Sequence, residues 1–359
     1  MIIEAIADLH FGRTGNEEKF YESLKNHFIK HCNEVHPDLI VIPGDSFDSR
    51  QGIGSPANIY YGKFIDDCIA TGAAIIVIEG TESHDRHQIN GLLHYSSDKF
   101  FIVNTVTKLN VCGLKLLLLP EEYVINDDYY KDYLNDNYDF AFFHGMFTHV
   151  GINGYVSDEI VRHAYNFDWK MFKDNIKHFV IGGHIHTHSC YKNIIYCGSY
   201  GRLNFGEEED KGWIEVEVKG DKSKWTFMKN PDAMTFTTIL ASKLPNDIDP
   251  LLNMLRGYQE SNDFLRIKLD IDDDNKRNTI EGFVKNHKNC CVLRMKSKRV
   301  IEKQEEITAD IKEQQEQLHN KMKGFENMNF IQITQKIAKD DYHMEFSQEE
   351  INNILNTKV

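Results

Sequence analysis

Short apolar runs of strand length alternate with longer amphipathic stretches through the first 230 residues. Residues Ile2–Ala7, Leu39–Pro43, Ala74–Glu79, Leu114–Leu119, Phe140–Phe143 and Phe179–Ile181 have the composition and length expected of buried strands. Between the first two runs, Phe20, Leu24, Phe28, Cys32 and Val35 recur at helical spacing, and Ile59 to Ile69 supplies a similar stripe before the third. Strand–helix–strand order of this kind predicts right-handed crossovers and an α/β architecture in which helices cover a sheet. The strongest polar motifs follow directly on these runs, which predicts them at strand carboxyl ends, where open α/β sheets bind ligands.

The pattern changes near Asn230-Pro231. Strand-like Thr235–Leu240, helical Pro250–Tyr258, strand-like Phe264–Ile271, helical Asn278–Val284 and strand-like Cys290–Lys296 read as a compact βαβαβ module. From Glu302 the chain is polar and helix-rich, with one stripe formed by Ile307, Ile311, Leu318, Met322 and Phe325. Ser347 and Glu350 form a capping box before a last helix bearing Ile351, Ile354 and Leu355. Three parts are therefore expected: 1–230, a second domain over 231–300, and a helical tail over 301–359.

Composition narrows the class. With 359 residues, 41% hydrophobic, 27% charged and seven prolines, the chain is neither collagen-like, mucin-like nor wholly disordered. Lys and Arg total 41 against 55 Asp and Glu, and the resulting charge of −14 excludes coating of nucleic acid by bulk charge. Any such contact must be local. Residues 285–303 reverse the sign, with Lys285, Lys288, Arg294, Lys296, Lys298, Arg299 and Lys303 against the single acid Glu302. Arg294, Lys296 and Lys298 alternate and are expected on one strand face, either tracking a DNA backbone or forming a solvated edge kept charged against aggregation. The seven cysteines include no C-x-x-C pair and are read as free thiols of a reducing compartment. No apolar run approaches the ~20 residues of a membrane helix, so a cytoplasmic chain with no membrane contact is expected.

Five motifs carry the chemistry: Asp8-Leu-His10, Gly44-Asp45-Ser-Phe-Asp48, Gly80-Thr-Glu-Ser-His84-Asp85, His144-Gly145 and Gly183-His184-Ile-His186. A carboxylate and an imidazole two residues apart just past a strand can meet at one metal, and mixed donors of this kind suit Mn, Fe or Zn better than Ca or Mg. Asp45 can offer two oxygens to two ions. Two neighbouring cations clamp the attacking and leaving oxygens of a displacement at phosphorus. Each motif alone is common and usually structural; their ordered combination after successive strands is not.

This ordered set resembles the calcineurin-like metallophosphoesterases, whose fold is a β-sandwich flanked by helices. Within them, Cys197-Gly-Ser-Tyr-Gly-Arg202-Leu-Asn-Phe-Gly-Glu through Lys211-Gly-Trp213 looks like a segment of the SbcD-type nuclease subunits of bacteria and bacteriophages. The resemblance covers Asp8 to Trp213; beyond residue 230 only the layout matches, a small α+β DNA-capping domain followed by helices that bind an ATPase subunit. It implies that Asp8, His10 and His186 hold one metal, that Asp45 bridges, and that His144 and His184 hold the second. It further implies that His84, oriented by Asp85, contacts the scissile phosphate and helps protonate the leaving oxygen. The usual third motif has Asn as a second-metal ligand, where this chain is two residues longer and offers Ser83, or Glu82 as the charged alternative. Asp48 is expected to orient a ligand or water, and Arg50 and Arg202 to pair with phosphate.

The implied function is a Mn-dependent DNA exonuclease and endonuclease of repair or recombination, with two divalent cations. Its implied partners are DNA and an SbcC-type ABC ATPase, within a heterotetramer built on a homodimer. Two other classes fit the same residues: a phosphatase or small-molecule phosphodiesterase, and a non-catalytic subunit that only organises its partner.

Overall fold

The computed structural model describes residues 1–122, 130–148, 166–168, 172 and 174–294, with the isolated positions 332, 339, 346 and 347. Strands β1 (Ile2–Ala5), β2 (Leu39–Pro43), β3 (Ala74–Ile78) and β4 (Phe100–Val103) pair in parallel in that order. A hairpin, β5 (Thr107–Val111) and β6 (Leu114–Leu119), begins a second sheet and leads to β7 (Phe140–His144). Short β8 (Met146–Thr148) and β9 (Asn166–Asp168) pair with each other, before β10 (Val180–Gly183), β11 (Ser189–Tyr191) and β12 (Ile194–Tyr196) complete the second sheet. The hairpin β13 (Gly212–Lys219) and β14 (Lys222–Lys229) returns to the first sheet, with β13 antiparallel to β1. Both sheets have six strands, ordered β14-β13-β1-β2-β3-β4 and β11-β12-β10-β7-β6-β5.

The uninterrupted apolar runs follow from burial of both strand faces. In β2, Leu39 and Val41 enter the core between the sheets, whereas Ile40 and Ile42 pack against the helices outside. In β6 and β7, Leu116, Leu118, Phe140 and Phe142 join the inter-sheet core, and Leu117, Leu119, Ala141 and Phe143 face outward. The helical stripe Phe20, Leu24, Phe28 and Cys32 covers the outer face of the first sheet together with Tyr61, Phe64 and Ile65 of helix Pro56–Ala70. That helix starts where its signals place it, with Ser55 accepting the Asn58 N–H and proline in the first turn. The first helical stretch is less regular, since Glu17–Leu24 and Lys30–Val35 are joined through a π-helical segment, Lys25–Ile29.

The α/β sandwich flanked by helices expected from the sequence is thus the architecture of this chain. Strands β4, β5 and β11 to β14 lie outside the apolar runs. β13 alternates buried with half-buried positions from Ile214 to Glu217, and β14 mostly alternates exposed with half-buried ones, so polar residues interrupt both and no continuous apolar run marks them.

Beyond residue 235, β15 (Phe236–Leu240), β16 (Phe264–Leu269) and β17 (Cys290–Arg294) form a separate three-stranded sheet, with helices Ile248–Ser261 and Asp274–Lys285 between them. Leu251, Leu255, Leu265, Ile267, Ile280 and Phe283 give it a core of its own. Arg294 ends β17; Lys296, Lys298, Arg299 and the predicted tail helices lie outside the described residues.

Phe142 is fully buried between the two sheets and stacks on Phe140. Phe142→Ala should lower the unfolding free energy by about 3–5 kcal/mol, measured by urea denaturation of the full chain.

Candidate metal centre

Three strands from each sheet deliver the polar motifs to one place. Asp8 and His10 follow β1, Asp45 follows β2, and the 80–88 loop follows β3. From the other sheet, Glu121 follows β6, His144 is the last residue of β7, and His184 and His186 follow β10. The two parallel strand sets end together, and their last residues and the loops leaving them supply the ligand-type side chains of the centre.

The backbone there is unusual. Asp8, His10, Asp45 and His184 all have positive φ, at 50°, 46°, 47° and 89°. Such conformations cost a non-glycine residue about 1–3 kcal/mol each and persist only where the surroundings fix them. Here the His10 N–H donates to the Asp45 carbonyl at 3.0 Å, and the His184 N–H donates to Asp8 Oδ1 at 2.8 Å. Gly44 is a steric requirement as well: a Cβ at this position would lie 2.0 Å from His144 Nδ1. One at Gly80 would lie 2.2 Å from the Asp45 nitrogen.

Among the described residues four overlapping groups of three ligand-type residues result here, among them two that share no member: Asp8 with His10 and His186, and Glu121 with His144 and His184. Within each group the donor atoms lie within 4.8 Å of one another. The Nε2 atoms of His10 and His186 are 3.1 Å apart. Asp45 joins the groups, its Oδ2 standing 3.6 Å from His10 Nε2 and its Oδ1 3.2 Å from His144 Nε2. Glu121 Oε2 is 3.2 Å from His184 Nδ1 and 3.6 Å from His144 Nε2. His144 Nδ1–H donates to the Pro43 carbonyl at 3.0 Å, which fixes the ring and points Nε2 into the centre. Against the effect of burial, Asp45, Asp8 and Glu121 hold this imidazole well above its usual range, so a cation bound there would displace the Nε2 proton.

Asp8 Oδ2, Glu121 Oε1 and His184 Nδ1 are buried without hydrogen-bond partners. Several such atoms in one pocket are costly unless a ligand satisfies them. Carboxylates and neutral imidazoles gathered this way fit two divalent cations, with Asp45 shared between them. Electrostatics of the protein alone point the same way. Burial would raise the Asp45 carboxyl, but the imidazoles of His144, His10 and His84 overcome it and hold Asp45 below the usual carboxylate range. Burial raises Asp8 and depresses His10. Asp85 is pushed up to about 7 by burial, then by the nearby Asp45 charge.

The third motif behaves differently from expectation. Ser83 and Glu82 are exposed, and the loop side chain that reaches the second group is Thr81. Its N–H donates to Asp45 Oδ1 at 2.7 Å, and its hydroxyl donates to Glu121 Oε2 at 2.9 Å and lies 3.4 Å from His144 Nε2. The two extra residues bulge outward after Thr81, which displaces Ser83 from the ligand place expected of it. Glu121 is the carboxylate beside this group that the motif reading omits.

His84 stands beside the first group, its ring edge-on to His10 at 4.7 Å. Asp85 does not orient it: that carboxylate accepts the N–H groups of Phe47 and Gly80, and His84 Nδ1 donates instead to the Asp48 carbonyl. Asp85 thus fixes the loop, and the Asp48 main chain fixes the imidazole. The Asp48 side chain lies 3.8 Å from His10 Nδ1.

Arg202 also departs from expectation, because its guanidinium is occupied with main-chain carbonyls: Ala233 at 3.0 Å, Met234 at 3.5 Å and Glu209 at 3.3 Å. The same segment contributes buried Lys211, which the motif reading omits. Its ammonium donates to the His186 carbonyl at 3.0 Å and to Ser199 Oγ at 3.1 Å, and pairs with Glu207 at 2.7 Å. Arg50 is exposed on the loop after Asp48, and Arg294 is exposed at the end of β17.

No protein-family model and no curated protein sequence matches the chain. Among solved structures it is similar to a dimetal phosphatase from Danio rerio, at 9% identity and TM-score 0.40, over 64% of this chain and 96% of that one. It is also similar to a protein of unknown function from Aquifex aeolicus, at 15% identity and TM-score 0.22, over 49% of this chain and 93% of that one. At these scores the likeness assigns nothing, and the functional reading rests on the residues themselves. Among the described residues no helix is long and apolar enough to cross a membrane.

With Mn²⁺ as the probe cation in titration calorimetry, Glu121→Gln should lower the bound divalent cation by one equivalent, while Ser83→Ala lowers it by none. Thr81→Ala and Lys211→Met, which disturb partners of the ligands, should weaken Mn²⁺ binding roughly 10–100-fold.

Proposed function

We propose that this chain is a metal-dependent phosphodiesterase acting on DNA, a nuclease subunit of the SbcD type. The observation that carries the hydrolytic part is the pair of three-residue groups, Asp8/His10/His186 and Glu121/His144/His184, with Asp45 between them. Two divalent cations held there, Mn²⁺ foremost, would neutralise phosphate charge and acidify a water for attack at phosphorus. The protein's own groups do the rest. Asp45, kept ionised by its imidazole neighbours, holds the two halves of the centre at a fixed spacing. With Nδ1–H engaged by the Asp48 carbonyl, His84 presents Nε2 to the substrate, and in its imidazolium form the Nε2–H would bond a phosphate oxygen and pass to the leaving oxygen, leaving the neutral ring.

The extra module over 236–294 supports the choice of DNA, because hydrolysis of a small ester requires no additional sheet whose last strand leads into a basic segment. Arg294, with Lys296 and Lys298 following, is its contact to the DNA backbone. The tail over 301–359 binds an SbcC-type ABC ATPase, and the assembly is a heterotetramer built on a homodimer in the cytoplasm. Arg202 is left out of this DNA surface, since carbonyl oxygens occupy its guanidinium.

The test is a Mn²⁺ titration of cleavage on end-labelled duplex and single-stranded DNA. Asp45→Asn should abolish cleavage, and His84→Gln should lower kcat roughly 10²–10⁴-fold while Mn²⁺ binding persists. Hydrolysis of bis(p-nitrophenyl) phosphate without cleavage of either DNA, with or without the ATPase, would reassign the centre to small esters.

A further inference from the structure

A second set of ligand-type side chains lies away from this centre, beneath helix Lys30–Val35. Glu4 of β1 and Glu215 of β13 are register partners across two antiparallel strands. His31 brings Nε2 to 3.2 Å from Glu4 Oε1 and to 2.8 Å from Glu215 Oε2. Like charges directly opposite each other destabilise a sheet, and burial already pushes the Glu4 carboxyl up to about 7, so a cation between the two would favour the ionised pair.

An imidazolium supplies that cation incompletely. One N–H donates well to one oxygen, and the hydrogen bond goes to Glu215. Glu4 is fully buried; its Oε2 accepts the Trp213 indole N–H at 2.9 Å, whereas its Oε1, the oxygen aimed at His31, is buried with no hydrogen bond. A buried carboxylate oxygen held only by this 3.2 Å ion-pair contact keeps part of its desolvation cost for the fold to offset. The three donor atoms come from three separate elements and lie within 4.8 Å of one another. Their contacts of 2.8 and 3.2 Å approach the ~3.3 Å edge of a tetrahedron whose ligands stand about 2.0–2.1 Å from zinc. Side-chain exposures of 18% for His31 and 14% for Glu215 leave an approach from solvent and room for a water as fourth ligand.

We propose that Glu4, His31 and Glu215 form a binding site for one divalent cation of the zinc class, separate from the two-metal centre. Two carboxylates and one neutral imidazole leave the loaded site without net charge, a donor set that suits Zn²⁺ better than Ca²⁺ or Mg²⁺. The Trp213 indole holds Glu4 in its ligating orientation. The bound ion joins the paired strands β1 and β13 to the helix Lys30–Val35 that covers them, and so stiffens the strand that runs on to Asp8 and His10.

The experiment is equilibrium dialysis of the chelator-stripped full chain against Zn²⁺, with metal counted by plasma emission. The wild-type chain should hold one equivalent more than either Glu215→Gln or His31→Gln, each checked for native circular dichroism. Asp45→Asn should not remove this equivalent, so a failure of the two-metal reading lowers the total but leaves the difference. An unchanged count in either folded variant would overturn the site and leave an imidazolium between two carboxylates. Should the variants not fold, Co²⁺ added to the wild-type chain decides, because the Trp213 ring lies 5.7 Å from His31. Quenching of tryptophan emission that is blocked by prior Zn²⁺ and absent in Trp213→Phe supports the site; no quenching refutes it.

Discussion

Four carboxylates, Asp8, Asp45, Asp85 and Glu121, are buried around one region of this protein, and the rest of the architecture is arranged to make that tolerable. Removing an ionised group from water costs several kcal/mol even after the protein relaxes, so each must find compensation at close range. Asp85 finds it in two backbone N–H groups, Asp45 in imidazoles and the Thr81 N–H, and Asp8 only in part, through the His184 N–H. The shortfall at Asp8 and Glu121, together with lone pairs from four histidines, is what two divalent ions would make good. Stability for this arrangement comes from elsewhere, from strands apolar on both faces that build one core between the sheets and others outside them.

That division of labour explains how rigidly the centre is held. Four of its residues adopt left-handed backbone, and two glycines lie where any side chain would strike a ligand. These conformations follow from hydrogen bonds between successive loops, Asp8 to Gly44 and His10 to Asp45, rather than from local propensity. A site assembled in this way arrives with its donors in place, so little is left to order when a cation binds.

The sheet layers, and the loops that gather most of the candidate donors, were legible in the sequence for one reason: parallel strands buried on both faces leave continuous apolar runs, and open α/β sheets place polar loops at their ends. Strands without such runs, β13 and β14 above all, were not. Glu121 was hidden because Pro120-Glu121-Glu122 reads as an ordinary solvated turn, although its position directly after the Leu114–Leu119 run was a usable signal. Thr81 was hidden because a longer third motif can be aligned with its extra residues on either side, and only three-dimensional placement selects the residue next to Gly80. The orientation assigned to Asp85 failed because sequence adjacency to His84 says nothing of where the carboxylate points. Arg202 failed similarly: a cation near a strand end reads as a phosphate contact until the carbonyls of Ala233 and Met234 are seen to occupy it.

Arg202 and Lys211 sit in the same short segment and fasten it at opposite ends. One grips the chain just before it enters the three-stranded sheet, and the other grips the main chain of His186. The segment therefore ties the 236–294 module to the loop that carries His186 through two charged side chains and a few residues of backbone.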